Sequence, residues 1–366
     1  MTLISGILLL GLSFGQVVSR PERGVFTFRN ISLYSIPTGL SNRPADIITL
    51  DEGVKQGTIV ITESGNSPAL RRTRPTGGNF ADSGIGGRRQ VVGQFQQSSG
   101  AQVNTLWLTN SSGKTLLLVA GEMLLGGQQD RIVQKDGLIP PTKAPVDLAV
   151  FCVEHGRWTA QTSQFGITTS ANGAVVSGGG GGAGGFAAPG GGRGAAVTTK
   201  SQGQVWDSVA QQNRKLGTET STGTYRENYV SPKTRPVLDE YVKDLMGRFP
   251  VQNSAGVVVA INGKLIWMDR FDSRETFAKY WPKLLKSYVL EAMSSDYNGS
   301  GRPFVIPSYR EAMHYANGRE GKASFEGEEG LSKLTKVETD TTVLYELEDL
   351  QANPGIVVHA NKVTKR

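Results

Sequence analysis

The densest run of side chains able to do chemistry is Gly121-Glu122-Met-Leu-Leu-Gly126-Gly127-Gln128-Gln129-Asp130-Arg131. Its glycines let backbone approach a partner closely. Gln129 supplies an amide, Asp130 a carboxylate, and Arg131 a planar fork that matches a carboxylate or phosphate. A second run, Cys152-Val153-Glu154-His155-Gly156-Arg157-Trp158, closely spaces a carboxylate, a guanidinium and an indole. On a pocket wall Glu154 would do acid–base work, Arg157 would bind an anion and Trp158 would stack on a ring. The competing reading of both runs is structural. Asp130 and Arg131 would then pair with each other or with Glu154, and Trp158 would be a packing residue. The residues alone leave both readings open.

Other chemistries are disfavoured by composition. Cys152 is the only cysteine and there are three histidines, which excludes an intrachain disulfide and any multi-cysteine zinc or iron–sulfur site. No metal ligand set and no cofactor are therefore expected. The chain contains no HExxH, no GxSxG elbow and no phosphate-loop Lys-Ser/Thr. Cys152 lies in an apolar stretch and reads as a buried, inert thiol. His314 and His359 read as satisfied or exposed residues. The formal charge is +7, yet Arg71, Arg72, Arg74, Arg88 and Arg89 fall in one segment and no basic helix with interleaved aromatics appears. A nucleic-acid partner is not expected.

The elements that must position these residues are mixed. Around residues 26–36, 57–63, 102–109, 115–120 and 146–154 the pattern is β, and the strands at 102–109 and 115–120 read as a hairpin across Asn110-Ser-Ser-Gly113. Helical spacing follows at 205–216 and 238–245. Gly256–Asp269 reads as a strand–Asn-Gly–strand hairpin. A helix capped by Asp272 or Ser273 carries Phe277, Trp281, Leu284, Leu285 and Tyr288, with Pro282 kinking or restarting it. A last strand pair is expected at 341–347 and 355–360. The sum is an α+β protein with a β-rich, sandwich-like N-terminal half and helices plus a β-hairpin in the C-terminal half. Residues 16–362 would form a single domain or two packed lobes, 24–170 and 200–362.

Two long insertions interrupt this pattern, the Arg/Gly segment 65–100 and the Gly-rich segment 173–194. Neither buries enough apolar surface to offset its chain entropy, so both read as flexible loops. The 47 glycines among 366 residues are concentrated partly there. Residues 1–15 form an apolar run ending in Ser13-Phe14-Gly15, too short for a bilayer helix and suited to a signal peptide cleaved near Gly15. An exported, periplasmic or secreted protein with no transmembrane helix in its mature part is expected.

The two polar runs, with the hairpin Gly256–Ile266, Asp269, Phe271, Trp281-Pro282-Lys283-Leu284-Leu285 and Val358-His359-Ala360-Asn361, resemble the ARG and rhodanese–phosphatase-superfamily-associated protein domain. The likeness spans about residues 25–362. It implies that the two polar turns form one site, and it makes a nucleotide-derived ligand such as ADP-ribose worth testing. The family brings no catalytic residues to carry over. The expected function is an exported, non-enzymatic binding domain. Gln129, Asp130, Arg131, Glu154, Arg157 and Trp158 would hold a small anionic or sugar-containing ligand or an envelope partner. One alternative is a hydrolase acting on a glycosidic or phosphoester bond, with Glu154 or Asp130 as general base. The other is a purely structural envelope scaffold.

Overall fold

The computed structural model describes residues 23–37, 46–64, 104–157, 161–162, 164–169, 175–176, 192–199, 201–295, 304–329, 331–351 and 354–365. The chain opens with the hairpin β1 (Val25–Phe28) and β2 (Ile31–Pro37). Next, β3 (Ile47–Thr49) runs into α1 (Leu50–Lys55), where Thr49 and Glu52 form a reciprocal capping box. Then come β4 (Ile59–Glu63), β5 (Thr105–Asn110), β6 (Thr115–Leu118), β7 (Met123–Leu124), β8 (Arg131–Val133), β9 (Gly137–Ile139) and β10 (Val146–Cys152). A short pair, β11 (Thr168–Thr169) and β12 (Val175–Val176), precedes the helices α2 (Gly194–Thr199), α3 (Gln202–Leu216), α4 (Glu227–Val230) and α5 (Arg235–Arg248). The last part is β13 (Ser254–Ile261), β14 (Lys264–Phe271), α6 (Arg274–Ser294), α7 (Tyr309–Asn317), β15 (Lys322–Glu329), β16 (Ser332–Glu338), β17 (Thr342–Asp349) and β18 (Ile356–Thr364).

This is an α+β fold with a β-rich first half. There a five-stranded sheet, β4-β5-β10-β8-β7, and a three-stranded sheet, β3-β6-β9, share one core. Ile59, Ile61, Leu106, Leu108 and Val150 from the first meet Leu116, Leu118 and Ile139 from the second. Strand alternation produces this, because every second side chain points to the same face. The second body is an eight-stranded antiparallel sheet, β1-β2-β13-β14-β18-β17-β16-β15. Val257 and Val259 of β13 face the main core with Phe277, Trp281 and Tyr288 of α6. Val258 and Ala260 face the other way, against Ala312 and Ala316 of α7. β13 is buried at all eight positions, as a central strand covered on both faces must be.

The tertiary pairing differs from the sequence expectation in four places. β5 and β6 do not pair. β5 lies between β4 and β10, and β6 between β3 and β9, where Leu116 and Leu118 pack into the core that the two sheets share. The first hairpin leaves the 24–170 lobe and extends the C-terminal sheet, with β2 in register against β13 from Ile31↔Ile261 to Pro37↔Ser254. Pro282 starts no fresh helix, since α6 runs through it as one element of 21 residues. The helix is held by tertiary packing, with Trp281, Leu284 and Leu285 buried beside the proline. Finally, Gly192–Gly194, assigned to the Gly-rich loop, sit in the body, and Arg193 is fully buried. The rest of that segment, apart from Val175–Val176, lies outside the described residues, as do the Arg/Gly segment after Ser64 and the apolar run 1–15.

The hairpin β13–β14 turns on Asn262 at φ 50° and Gly263 at φ 76°, the two left-handed residues such a turn requires. A Cβ on Gly263 would also stand 2.5 Å from the Val305 carbonyl oxygen. Gly263→Ala is expected to lower stability by roughly 1–3 kcal/mol. A urea melt should show a reduced midpoint at unchanged slope, and an unchanged midpoint would remove the turn from this role.

Candidate functional site

β8 and β10 are antiparallel neighbours, and the pairing sets Cys152 opposite Arg131. The two polar runs, distant in sequence, therefore meet at one end of this strand pair. Arg157 holds them together. Its Nε donates to Glu154 Oε2 at 2.8 Å, its Nη1 to the Gly127 carbonyl at 2.8 Å, and its Nη2 lies 3.3 Å from Asp130 Oδ1. Glu154 Oε2 also accepts from the Asp130 amide at 3.1 Å. Asp130 accepts further from the Gly126 amide and the Thr224 hydroxyl, and Arg226 stands 3.9 Å away. Gln129 Oε1 accepts from Arg131 Nη1 and from the Cys152 thiol, each at 3.1 Å.

Gln129, Asp130, Arg131, Glu154 and Arg157 are all buried. Trp158 lies outside the described residues. Burial raises the Asp130 pKa, and neighbouring Glu154 adds to this against the pull of Arg226 and Arg157. Burial likewise pushes the Cys152 thiol up against the opposing pull of Arg131, and it lowers the Arg131 pKa. Gly127, at φ 54°, is required where it stands: a Cβ would meet the Phe165 ring at 2.2 Å and Glu63 Oε1 at 2.7 Å.

This cluster is incompletely satisfied. Arg131 Nε and Nη2, Arg226 Nη1, Glu63 Oε2 and Gln128 Oε1 are buried and have no hydrogen-bond partner among the described residues. Three of these residues are linked, since Glu63 Oε1 accepts from the Gln128 amide at 2.8 Å and the Glu63 charge acts on Arg131, and Arg226 joins the cluster through Asp130. Glu63 and Arg226 carried no sequence signal, one ending a β-branched strand and the other preceding α4.

A second polar centre, not grouped by the sequence reading, lies where the eight-stranded sheet meets the sandwich. Arg193 donates through Nη1 and Nη2 to both oxygens of Asp269, at 3.0 and 2.8 Å. Its Nε donates to the Ala120 carbonyl at 2.8 Å, and its guanidinium lies 4.7 Å over the Trp267 ring. Asp269 also accepts from Trp267 Nε1 at 2.8 Å and from the Tyr288 hydroxyl. His359 bridges two carboxylates, with Nε2 3.1 Å from Asp269 Oδ1 and Nδ1 2.6 Å from Asp136 Oδ2. Both ring nitrogens face acceptors, which is the geometry of an imidazolium. Burial alone would lower the His359 pKa, but Asp136 and then Asp269 outweigh it and hold it at about 9. Burial would raise Asp269, yet Arg193 and His359 hold it well below the usual carboxylate range.

His359 is thus a satisfied histidine. The one available signal for Arg193 was that it is the lone charge in the Gly-rich run 173–194. Gly121, in the first polar run, serves this centre: at φ 88°, a Cβ there would meet Arg193 Cγ at 2.4 Å. Glu122 belongs to a third buried set, accepting from Lys283 Nζ at 2.6 Å, while Lys283 also reaches Asp51 at 3.0 Å. Among the described residues no group of three or more His, Cys, Asp or Glu is arranged to hold a metal ion, and no helix is long and apolar enough to cross a membrane.

Removing one partner from such a buried network leaves an uncompensated charge. Asp269→Asn is expected to cost about 3–5 kcal/mol in a denaturant melt. The His359 pKa is raised above its ordinary 6.5, so its contribution to stability is complete below pH 6.5 and is lost as the pH rises through about 9. The depressed Asp269 pKa acts at the other end, contributing above its ordinary 3.8 and being lost at lower pH. Stability measured between pH 6 and about 9.5 should fall with pH in the wild type and fall less steeply in His359→Gln. Parallel profiles would show that the imidazolium does not carry this dependence.

No curated protein and no solved structure matches the chain significantly. A family model does match, over residues 23–361, from just before β1 into β18. That span contains the sandwich, the eight-stranded sheet except the end of β18, and all three buried polar sets, and the chain belongs to the ARG and Rhodanese-Phosphatase-superfamily-associated Protein domain family.

Proposed function

We propose that this chain is an exported binding domain that holds a small anionic ligand at Arg131. The observation that carries this reading is the unfilled side of the Arg131 guanidinium. Nε–H and the neighbouring Nη2–H point the same way and form a bidentate fork suited to a carboxylate or phosphate. Both are buried without a partner among the described residues. Leaving buried donors unmatched costs about 1–3 kcal/mol per group, so the site favours an occupant. Arg226 Nη1 offers a further donor, while Glu63 Oε2 and Gln128 Oε1 offer acceptors. A protonated phosphate or phosphate monoester both accepts and donates, and matches this mixture. A nucleotide-derived phosphate falls within that class.

Within this reading the two arginines have separate tasks. Arg157 is committed to Glu154, Asp130 and the Gly127 carbonyl, so it shapes the turns and Arg131 meets the ligand. Asp130 and Glu154 are committed to the same clamp, which supports binding over hydrolysis with either as general base. For export, the support is the apolar run 1–15 with its small-residue end.

Thermal unfolding of the purified chain in inorganic phosphate, with acetate as the carboxylate probe, tests the ligand. Wild type should gain stability saturably, by about 2.7 kcal/mol at a hundredfold excess over Kd. Arg131→Gln should lose that gain, and Arg131→Lys should keep part of it. No gain with either probe would overturn the reading and leave Arg131 solvated by internal water in a structural scaffold. Export is tested separately by the mature N-terminus. A chain starting near Gln16 outside the cytoplasm supports it, and intact Met1 in the cytoplasm overturns it.

A further inference from the structure

A cavity of about 310 Å³ lies on the seam between the sandwich and the eight-stranded sheet. Its size is at the small end of ligand sites. Ala120, Ala149, Ala196, Val197 and Leu334 give it an apolar wall, and Tyr345 lines it from β17. Asp136 and Asn361 line it too, and both are buried, at 3% and 1% exposure. Gln134, Lys135 and Glu326 are half-buried and form its more exposed side.

The register explains why these groups converge. Asn361 on β18 stands opposite Asp269 on β14 and Tyr345 on β17. His359 lies two residues before Asn361, so both project to the same face. Asn361 Nδ2 donates to Asp136 Oδ2 at 3.2 Å, the oxygen that also faces His359. Because that contact requires the amide nitrogen, the amide oxygen is turned the other way. Asn361 Oδ1 is buried and has no hydrogen-bond partner among the described residues. Asp136 Oδ1 meets the Ala120 amide at 2.7 Å and retains capacity for a second donor. Asp136 and Asn361 thus line the cavity as a rigid floor, fixed by the His359–Asp269–Arg193 network.

Charge narrows the occupant. Asp136 is paired with the His359 imidazolium, Asp269 with Arg193, and Lys135 and Glu326 both line the more exposed side. The formal sum of these groups is zero, so the floor does not select an ion. A ligand here meets the carboxylate and amide of Asp136 and Asn361 on one side and donors such as the Gln134 amide and the Lys135 ammonium on the other, so it must both donate and accept. Hydroxyl groups do both. We propose that this cavity binds an uncharged polyhydroxy ligand, one monosaccharide ring or a polyol of that size, with its hydroxyls on Asn361 and Asp136 and its C–H face on the alanine and leucine wall. This site is independent of the proposed anion site at Arg131.

The test is titration calorimetry with ligand-observed NMR, using the full chain and neutral probes: D-ribose, D-glucose, myo-inositol and a disaccharide. Wild type should bind at least one saturably. Two variants separate the cavity from general folding. Ala149→Phe fills the cavity from half-buried β10 and leaves every hydrogen-bonding side chain of the polar network in place, and Asn361→Leu removes the orphan acceptor. Each should weaken binding at least about tenfold, while the phosphate response expected at Arg131 should persist in Ala149→Phe. If Asn361→Leu fails to fold, Ala149→Phe alone decides. Absence of saturable binding by every probe overturns the proposal, as does binding unchanged in folded Ala149→Phe. Loss of the phosphate response with retained sugar binding would count against Arg131 and leave the cavity assignment standing.

Discussion

A carboxylate buried at zero exposure, Asp269, is the constraint on which the rest of the structure depends. An isolated carboxylate in such a place is costly enough that it would be neutralised. Here it collects donors from Arg193, Trp267, Tyr288 and His359. Each donor comes from a different element: the start of α2, β14 itself, α6 and β18. Satisfying one charge therefore fixes a helix, two strands and the end of the Gly-rich segment relative to one another. The network continues through His359 to Asp136, in the turn between β8 and β9, and through Arg193 to the Ala120 carbonyl. These contacts dock the sandwich onto the sheet with polar geometry and not with apolar area alone. A network of this kind specifies register and orientation, because its members reward only one arrangement.

The second polar cluster has the opposite character. Around Arg157 the partners are complete, and the clamp ties the Gly126–Asp130 turn to the Glu154–Arg157 turn. Beside it, Arg131, Arg226, Glu63 and Gln128 retain atoms unmatched among the described residues. In the binding reading proposed above, the satisfied network is the scaffold and the unsatisfied one the site, since a buried unmatched group calls for something to complete it. A similar contrast recurs at the seam, where Asp136 is fixed from behind and the Asn361 amide oxygen is unmatched among the described residues. The rigid part in each case holds the open part to a single geometry.

Much of the architecture was legible from the chain. Period-two alternation marked the strands of the sandwich, and the apolar stripe of α6 marked its buried face. Asn262-Gly263 announced the central hairpin, because only residues tolerant of positive φ close so tight a turn. The two polar runs stood out in the chain, and their meeting in one cluster was implied only by the family resemblance. What the chain did not reveal was how their members divide the work. Arg131 and Arg157 are the same residue type in similar polar surroundings. One is consumed by carboxylates and carbonyls, and the other keeps its fork open. That difference follows from the strand pairing, which brings Arg157 onto the Gly126–Asp130 turn; Thr224, Arg226 and Glu63, which join the cluster from remote segments, carry no local signature.

Local sequence determined element type, cap and turn, since these depend on side chains within a few residues of one another: Thr49 with Glu52, Ser273 with the Thr276 amide, Asn262 with Gly263. It also determined which faces must be buried. Partner choice was decided by the tertiary structure. β5 and β6 went to two different sheets that share one core, and β1–β2 joined a sheet whose other strands begin after residue 250. Arg193 passed from a glycine-rich run to the centre of the molecule because Asp269, 76 residues away, needed a cation there. Charge compensation and core packing act through space, so the neighbours they select are written in the fold and not in the spacing of residues along the chain.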